Sequence, residues 1–151
     1  MKKILKFIII LFPWFISAII FKTDKTFYKS IDKPFFAPSP IIFPIVWTIL
    51  YILLAISIYL VYKDNDIKQT KDYNKYLIIN YVSNQAFQFL FFTIKSPFLA
   101  LIDTVIVLIS SLYLYYESRK LNKTSAKLII PYIIWNGFAT ILIASIFFMN
   151  L

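Results

Sequence analysis

The sequence predicts an all-α fold: an integral membrane bundle of five transmembrane helices, built as one domain over residues 1–151. Three observations carry that prediction. Hydrophobic residues make up 60% of the chain and charged residues only 15%, with a mean hydropathy of +0.75, far from a water-soluble composition. Five apolar stretches approach the roughly 20 residues that a helix needs to cross the hydrocarbon core. The segments between them are short and charged and leave no length for a second unit.

The first span covers about 4–21. Lys2, Lys3 and Lys6 precede it, as they would a cleaved signal peptide, but no small-x-small site follows, because Ser17-Ala18 runs on into Ile19-Ile20-Phe21. The connection 22–40 is too structured in composition for a passive linker. Phe27-Tyr28 and Phe35-Phe36 favour burial, and Pro34, Pro38 and Pro40 stiffen the chain, so it reads as a lid over the bundle. Lys25, Lys29 and Lys33 are then available to meet an anionic ligand. The second span, 41–62, has Pro44 in its first turn, and the fourth, 97–116, opens on Pro97 behind a Ser96 cap. The third and fifth cover 76–92 and 125–149. Pro13 and Pro131 fall inside their spans, where a missing N–H and a ring clash are expected to bend the helix.

Charge sets the orientation. The N-terminus and the 63–75 and 117–127 connections share one side and hold 11 of the 16 cations: Lys2, Lys3, Lys6, Lys63, Lys68, Lys71, Lys75, Arg119, Lys120, Lys123 and Lys127. The other side has Lys22, Lys25, Lys29, Lys33 and Lys95. The positive-inside rule therefore places the N-terminus in the cytoplasm and the C-terminus outside a plasma membrane. The net charge of +9 flanks spans and forms no patch, which argues for anionic lipid head groups and against nucleic acid.

The chain has no cysteine and no histidine, which removes disulfides, thiolate nucleophiles, imidazole bases and the usual zinc, copper and haem ligands. The only methionines are Met1 and Met149, so no metal site and no resident cofactor are expected. A tetrapyrrole held here would be metal-free or weakly ligated.

Polar groups inside spans are expensive in hydrocarbon and therefore informative. Asn80, Asn84 and Gln88 recur at i, i+4 and i+8, with Ser83 beside them and Gln85 about 100° round the helix, one stripe turned toward protein. Interhelical hydrogen bonding and ligand contact are both open for these amides. Asp103, the one carboxylate within a span, is expected to hydrogen-bond a neighbouring helix in preference to carrying protons, since no relay of acidic groups accompanies it. Trp47 with Tyr51 one turn on, and Trp135 with Ala139 one turn on, are placed to stack a flat apolar ligand, although core packing alone also accounts for either indole.

Taken in order, several segments carry a resemblance that covers almost the whole chain. They are Phe27-Tyr28 with Lys33-Pro34-x-x-x-Pro38, Val46-Trp47-Thr48-x-Leu50-Tyr51, Asn80-Tyr81-x-x-Asn84-Gln85-Ala86-Phe87, Phe98-Leu99-Ala100-x-x-Asp103, and Leu128-Ile129-Ile130-Pro131-Tyr132-x-x-Trp135-x-x-Phe138-Ala139-Thr140. The chain resembles the TspO/MBR translocator proteins, the tryptophan-rich sensory and peripheral benzodiazepine receptor group, and its third-span segment looks most like Gram-positive members. The resemblance implies a five-helix bundle, often a homodimer, that binds porphyrins and isoquinoline carboxamide or benzodiazepine-type molecules in a pocket under the first loop. Carried over position by position, that pocket falls on Tyr28, Trp47, Asn84, Gln85, Phe87, Trp135 and Ala139. Some bacterial members are reported to break down protoporphyrin IX in light, which would make Trp47 and Trp135 catalytic.

The departures are specific. A lid Trp-Tyr pair of the family is Phe27-Tyr28 here, a later lid tryptophan is Ile41, and a third-span Trp and Pro are Phe87 and Phe89. Ala144 and Phe148 stand where the sterol motif of animal members has Tyr and Arg, so sterol recognition by that motif is not expected. Three functions remain in view: a membrane receptor for a flat, anionic, apolar molecule such as a porphyrin, a light-dependent porphyrin-degrading enzyme, and a carrier. Five helices without visible inverted repeats leave little material for alternating access, which weighs against the carrier.

Overall fold

A computed structural model describes residues 2–151, and the described residues are helical with no strand. The first column is α1 (Lys2–Leu11), a 3₁₀ turn over Phe12–Phe15, and α2 (Ile16–Ile20). Pro13 lies in the turn, where its absent N–H and its ring exclude a regular α ladder. The lid contains α3 (Lys25–Ser30), capped by Asp24, whose Oδ1 accepts from Phe27 N at 2.9 Å. Then follow α4 (Ile42–Asp64), α5 (Lys71–Gln88) continued by a π-helical turn over Phe89–Thr93, α6 (Pro97–Leu121) and α7 (Lys123–Met149). Ser96 caps α6 ahead of Pro97, with Leu99 N donating to Ser96 Oγ at 3.2 Å. Asn122 caps α7 through Ser125 N at 2.9 Å.

Two details differ from the reading of the sequence. The helices outrun their apolar stretches: α5 starts at Lys71 and α6 continues to Leu121, because Lys, Glu, Arg and Tyr extend an existing helix at little cost. Pro131 leaves α7 continuous from Lys123 to Met149, so of the two internal prolines only Pro13 interrupts its helix.

Pairwise packing closes a ring. α1 packs on α4, α4 on α7, α7 on α6, α6 on α5, and α5 returns to α2. Four helical segments are long and apolar enough to cross a bilayer: Lys2–Ile20, Ile42–Asp64, Pro97–Leu121 and Lys123–Met149. The column of α5 falls short of that standard because it carries the amides, yet its 18 residues and the five of the π turn reach about 34 Å at the usual rise. The outward faces carry exposed Ile8, Ile45, Ile78, Ile102, Ile134 and Ile141, the inverse of a soluble bundle. The molecule is an all-α, multi-pass membrane protein.

Inside the ring, polar side chains bond to one another. Ser57 and Ser125, both fully buried, exchange hydrogen bonds between α4 and α7: Ser57 Oγ donates to Ser125 O at 3.0 Å and Ser125 Oγ to Ser57 O at 2.9 Å. Small residues of this kind let two backbones approach closely in lipid. Trp14, Leu50, Leu54, Ile58, Tyr73, Leu114 and Ile129 fill the core toward the charged connections, and Tyr28, Phe91, Ala100, Leu142 and Ile146 fill it under the lid. A cavity lies between them.

Candidate functional site

The cavity has a volume of about 300 Å³ and takes its walls from every column of the ring and from the lid. That is at the small end of the range of ligand pockets, about 300–1,000 Å³. α4 supplies Trp47 and Tyr51, and α7 supplies Trp135, Asn136 and Ala139. Trp47 and Trp135 meet edge to face with centroids 6.4 Å apart and planes at 89°. Tyr51 is tilted against Trp47 at 5.4 Å, and Trp14 against Tyr51 at 5.6 Å, so the aromatic wall runs unbroken from α7 across α4 to the first column. Phe87 stacks on Phe91 at 5.5 Å and 15°, and Tyr28 meets Phe43 edge to face at 5.9 Å. These are the offset and T-shaped arrangements that ring quadrupoles favour.

The amide stripe on α5 resolves into a network. Tyr51 OH donates to Asn84 Oδ1 at 2.7 Å, Asn84 Nδ2 donates to Tyr132 OH at 3.2 Å, and Tyr132 OH donates to Asn80 Oδ1 at 2.7 Å. Asn80 Nδ2 then reaches Val107 O at 3.1 Å and Ser110 Oγ at 2.9 Å on α6. Asn84 therefore joins helices and lines the cavity at the same time.

Of the seven residues singled out from the sequence, all but Gln85 line this cavity: Tyr28, Trp47, Asn84, Phe87, Trp135 and Ala139. Gln85 is turned to the interrupted first column. Its Nε2 donates to Trp14 O at 3.1 Å and its Oε1 accepts from Ser17 N at 2.9 Å, satisfying two backbone groups at the Pro13 break. Tyr81 OH takes a third, Pro13 O, at 3.0 Å. Gln88 lines the cavity and also reaches the lid approach, donating to Thr23 Oγ1 at 2.7 Å.

Trp14 is the residue that sequence reasoning missed. It is 3% exposed, lines the cavity and packs edge to face on Tyr81 at 5.2 Å. The adjacent Pro13 was the available signal, since a break there reorients the side chain that follows. Asn136 on α7, 3% exposed, is a second lining residue that the sequence reading did not single out.

The lid divides its lysines. Lys33 Nζ caps the carbonyls of Tyr28 at 2.6 Å and Ile31 at 2.7 Å and lies over the Tyr28 ring, so it is occupied within the lid. Lys25 lines the cavity. Asp24 pairs with Lys95 at 2.9 Å across the lid base, and the Phe27 N–H, followed by the Lys95 ammonium, holds its carboxyl below the usual carboxylate range. Burial raises the Tyr28 hydroxyl above its ordinary value. Asp32 and Asn150 exchange hydrogen bonds at 3.0 and 2.9 Å and tie the lid to the end of α7. Asp103 has the Ser83 hydroxyl of α5 as its hydrogen-bonding neighbour, while its Oδ2 is buried and unbonded.

The fold and this aromatic, amide-lined cavity define a class: a small helical, multi-pass membrane protein with an internal cavity beneath a lid. The sequence model described as the TspO/MBR family matches residues 6–149. The Tryptophan-rich protein TspO of Bacillus cereus is 35% identical over 91% of this chain and 89% of its own length. An uncharacterized membrane protein, YtaB, of Bacillus subtilis is 36% identical over the full length of both, and the Translocator protein homolog of Schizosaccharomyces pombe is 30% identical over 83% and 77%. The chain belongs to the TspO/MBR family.

Proposed function

We propose that this protein is a membrane receptor whose cavity binds a flat, apolar, anionic molecule, with protoporphyrin IX and isoquinoline carboxamide or benzodiazepine-type compounds as the ligand classes. The observation that carries the reading is the convergence of Trp14, Trp47 and Trp135 with Asn84 on one internal cavity beneath a lid that contributes Tyr28 and Lys25. In this reading the indoles stack on the ligand plane, Phe87 and Ala139 close its apolar face, Asn84 orients a polar edge, and Lys25 meets an anionic group. Gln85 acts through Trp14, by holding the turn that presents it. The receptor is placed in the plasma membrane with its N-terminus cytoplasmic and its C-terminus outside, supported by the uneven distribution of Lys and Arg, and the family resemblance adds assembly as a homodimer.

A second reading, light-dependent breakdown of the porphyrin, is favoured by one feature: Trp47 and Trp135 face the same cavity 6.4 Å apart, two oxidisable indoles beside the bound chromophore. One experiment separates the two. Purified protein in detergent is titrated with protoporphyrin IX in the dark while tryptophan emission is followed, and is then illuminated while the Soret band is recorded. Saturable quenching with a stable band supports the receptor. Bleaching that depends on Trp47 and Trp135 as well as on light supports the enzyme, and absence of quenching removes both.

A further inference from the structure

Of the four long apolar spans, the first is the least covered by protein: 11% of its apolar window is buried, against 28–39% in the other three. No residue of α1 is buried, and of that helix only Ile10 and Leu11 pack against the core. Its first two turns therefore stand off α4 and leave an open groove of about 270 Å³ on the outer surface of the bundle. Ile4 and Phe7 on α1 and Ile56 and Tyr59 on α4 wall the groove, and Lys3 marks its end. Lys63 follows Tyr59 by one helical turn on the same face of α4, so a second cation stands at that end. Both lysines are exposed. Among the described residues the ion pairs are Lys95 with Asp24 and Lys120 with Glu117, so the protein neutralises neither. Asp64, the next residue, is turned about 100° round the helix from Lys63.

A soluble anion would satisfy the two lysines and leave the walls bare, and a hydrocarbon chain alone would satisfy the walls and leave the lysines unpaired. We infer that the groove is a binding site for one anionic phospholipid of the leaflet on the side of the N-terminus, with an acyl chain between Phe7 and Ile56 and the phosphodiester between Lys3 and Lys63. Tyr59, half-buried in the wall one turn below Lys63, sits at the depth where a tyrosine ring meets hydrocarbon and its hydroxyl meets the polar glycerol region. A zwitterionic lipid brings its own cation to the same two lysines and gains less from them. The other cations of that side attract anionic head groups loosely; the groove differs from them by also fixing a chain. None of its lining residues belongs to the cavity under the lid, so the inference does not rest on the receptor reading. A lipid seated there packs the face of α1 that protein leaves bare, and α1 leads into the Pro13 turn that carries Trp14.

The test is native mass spectrometry of the full-length protein in detergent, titrated with dioleoyl phosphatidylglycerol or dioleoyl phosphatidylcholine, which differ only in the head group. Wild type is expected to retain one phosphatidylglycerol per chain and to bind it more tightly than phosphatidylcholine by about tenfold or more, since each lysine near the lipid surface contributes about fivefold. Lys3→Gln and Lys63→Gln each weaken phosphatidylglycerol by about fivefold and leave phosphatidylcholine unchanged. Arg119→Gln, the same loss of charge at an exposed position of α6 on the far side of the ring, changes neither. Ile56→Trp fills the groove without touching a charge and lowers retention of both lipids. Equal binding of the two lipids by wild type overturns the site. So does a loss in Arg119→Gln that matches Lys3→Gln, which would reduce the effect to the general charge of that side. Unchanged lipid retention in Ile56→Trp overturns it as well, and a change from a two-chain to a one-chain mass in that variant would give the groove to a second copy. The wild-type comparison depends on no variant folding.

Discussion

At the scale of single residues, the cavity is decided by how two indoles are held. Trp47 leans on Tyr51 and Tyr132, and Trp135 on Phe43 and Phe138 at 6.2 and 5.2 Å, so neither ring turns freely and each presents a fixed edge or face. Phe87 presents an aromatic plane by stacking on Phe91, whereas Phe89 opens the π turn and tilts against Phe21 at 5.1 Å, away from the lining. Stacking on an aromatic side chain contributes about 1–3 kcal/mol per flat ring system. Trp135→Ala is therefore expected to weaken protoporphyrin IX binding by about tenfold or more. Trp47→Ala is expected to do the same, and Trp14 remains as the fluorescent reporter in both titrations. Unchanged dissociation constants in both variants would place the ligand elsewhere.

At the scale of elements, the first column depends on its neighbour. The Pro13 turn frees backbone groups, and Gln85 on α5 takes up Trp14 O and Ser17 N, while Tyr81 adds a second bond to Pro13 O, which also accepts from Ile16 N. Gln85→Leu leaves two of these unpaired, at about 1–3 kcal/mol for each buried group. The expected outcome is a lower melting temperature in detergent together with weaker porphyrin binding, since Trp14 loses its support; Tyr81→Phe, which leaves Pro13 O bonded to Ile16 N, shows a smaller effect on both. The lid has its own linkage. The Asp24 carboxyl titrates below its ordinary value of about 3.9, so its contribution to lid docking is fully present above that pH and is lost as the pH falls through the depressed value. Protection of residues 22–40 from pepsin should therefore hold down to about pH 4 and fail only below it, and Asp24→Asn should show reduced protection at every pH without that step. The helical period was enough to place Asn80, Asn84 and Gln88 on an inward stripe, because i and i+4 directions are set within one helix. The partner of Gln85 could not be read this way, since it depends on where a proline in another column breaks the ladder.

At the scale of the whole molecule, the bundle is apolar outside and polar at selected points within, and the ring order of first, second, fifth, fourth and third columns encloses the cavity. Composition and apolar run lengths made the helices legible, since hydrocarbon admits no unpaired backbone. The third span was read from its apolar run like the others, although the amides within it lower its hydropathy. Ring closure and the packing of α2 on α5 were not legible, because each arises from contacts between distant segments. The same chain offers a direct test of its orientation, since it contains no cysteine. Single cysteines introduced at exposed lysines will react with a membrane-impermeant maleimide only from the side they face. Lys29→Cys in the lid is expected to label in intact cells, whereas Lys68→Cys and Lys123→Cys, on the side that holds 11 of the 16 cations, label only after lysis. The reverse pattern would invert the bundle and put the lid on the cytoplasmic side, and the ligand would then reach the cavity from the cell interior. Labelling of all three in intact cells would mean two orientations in one membrane, with the charge difference too weak to select between them.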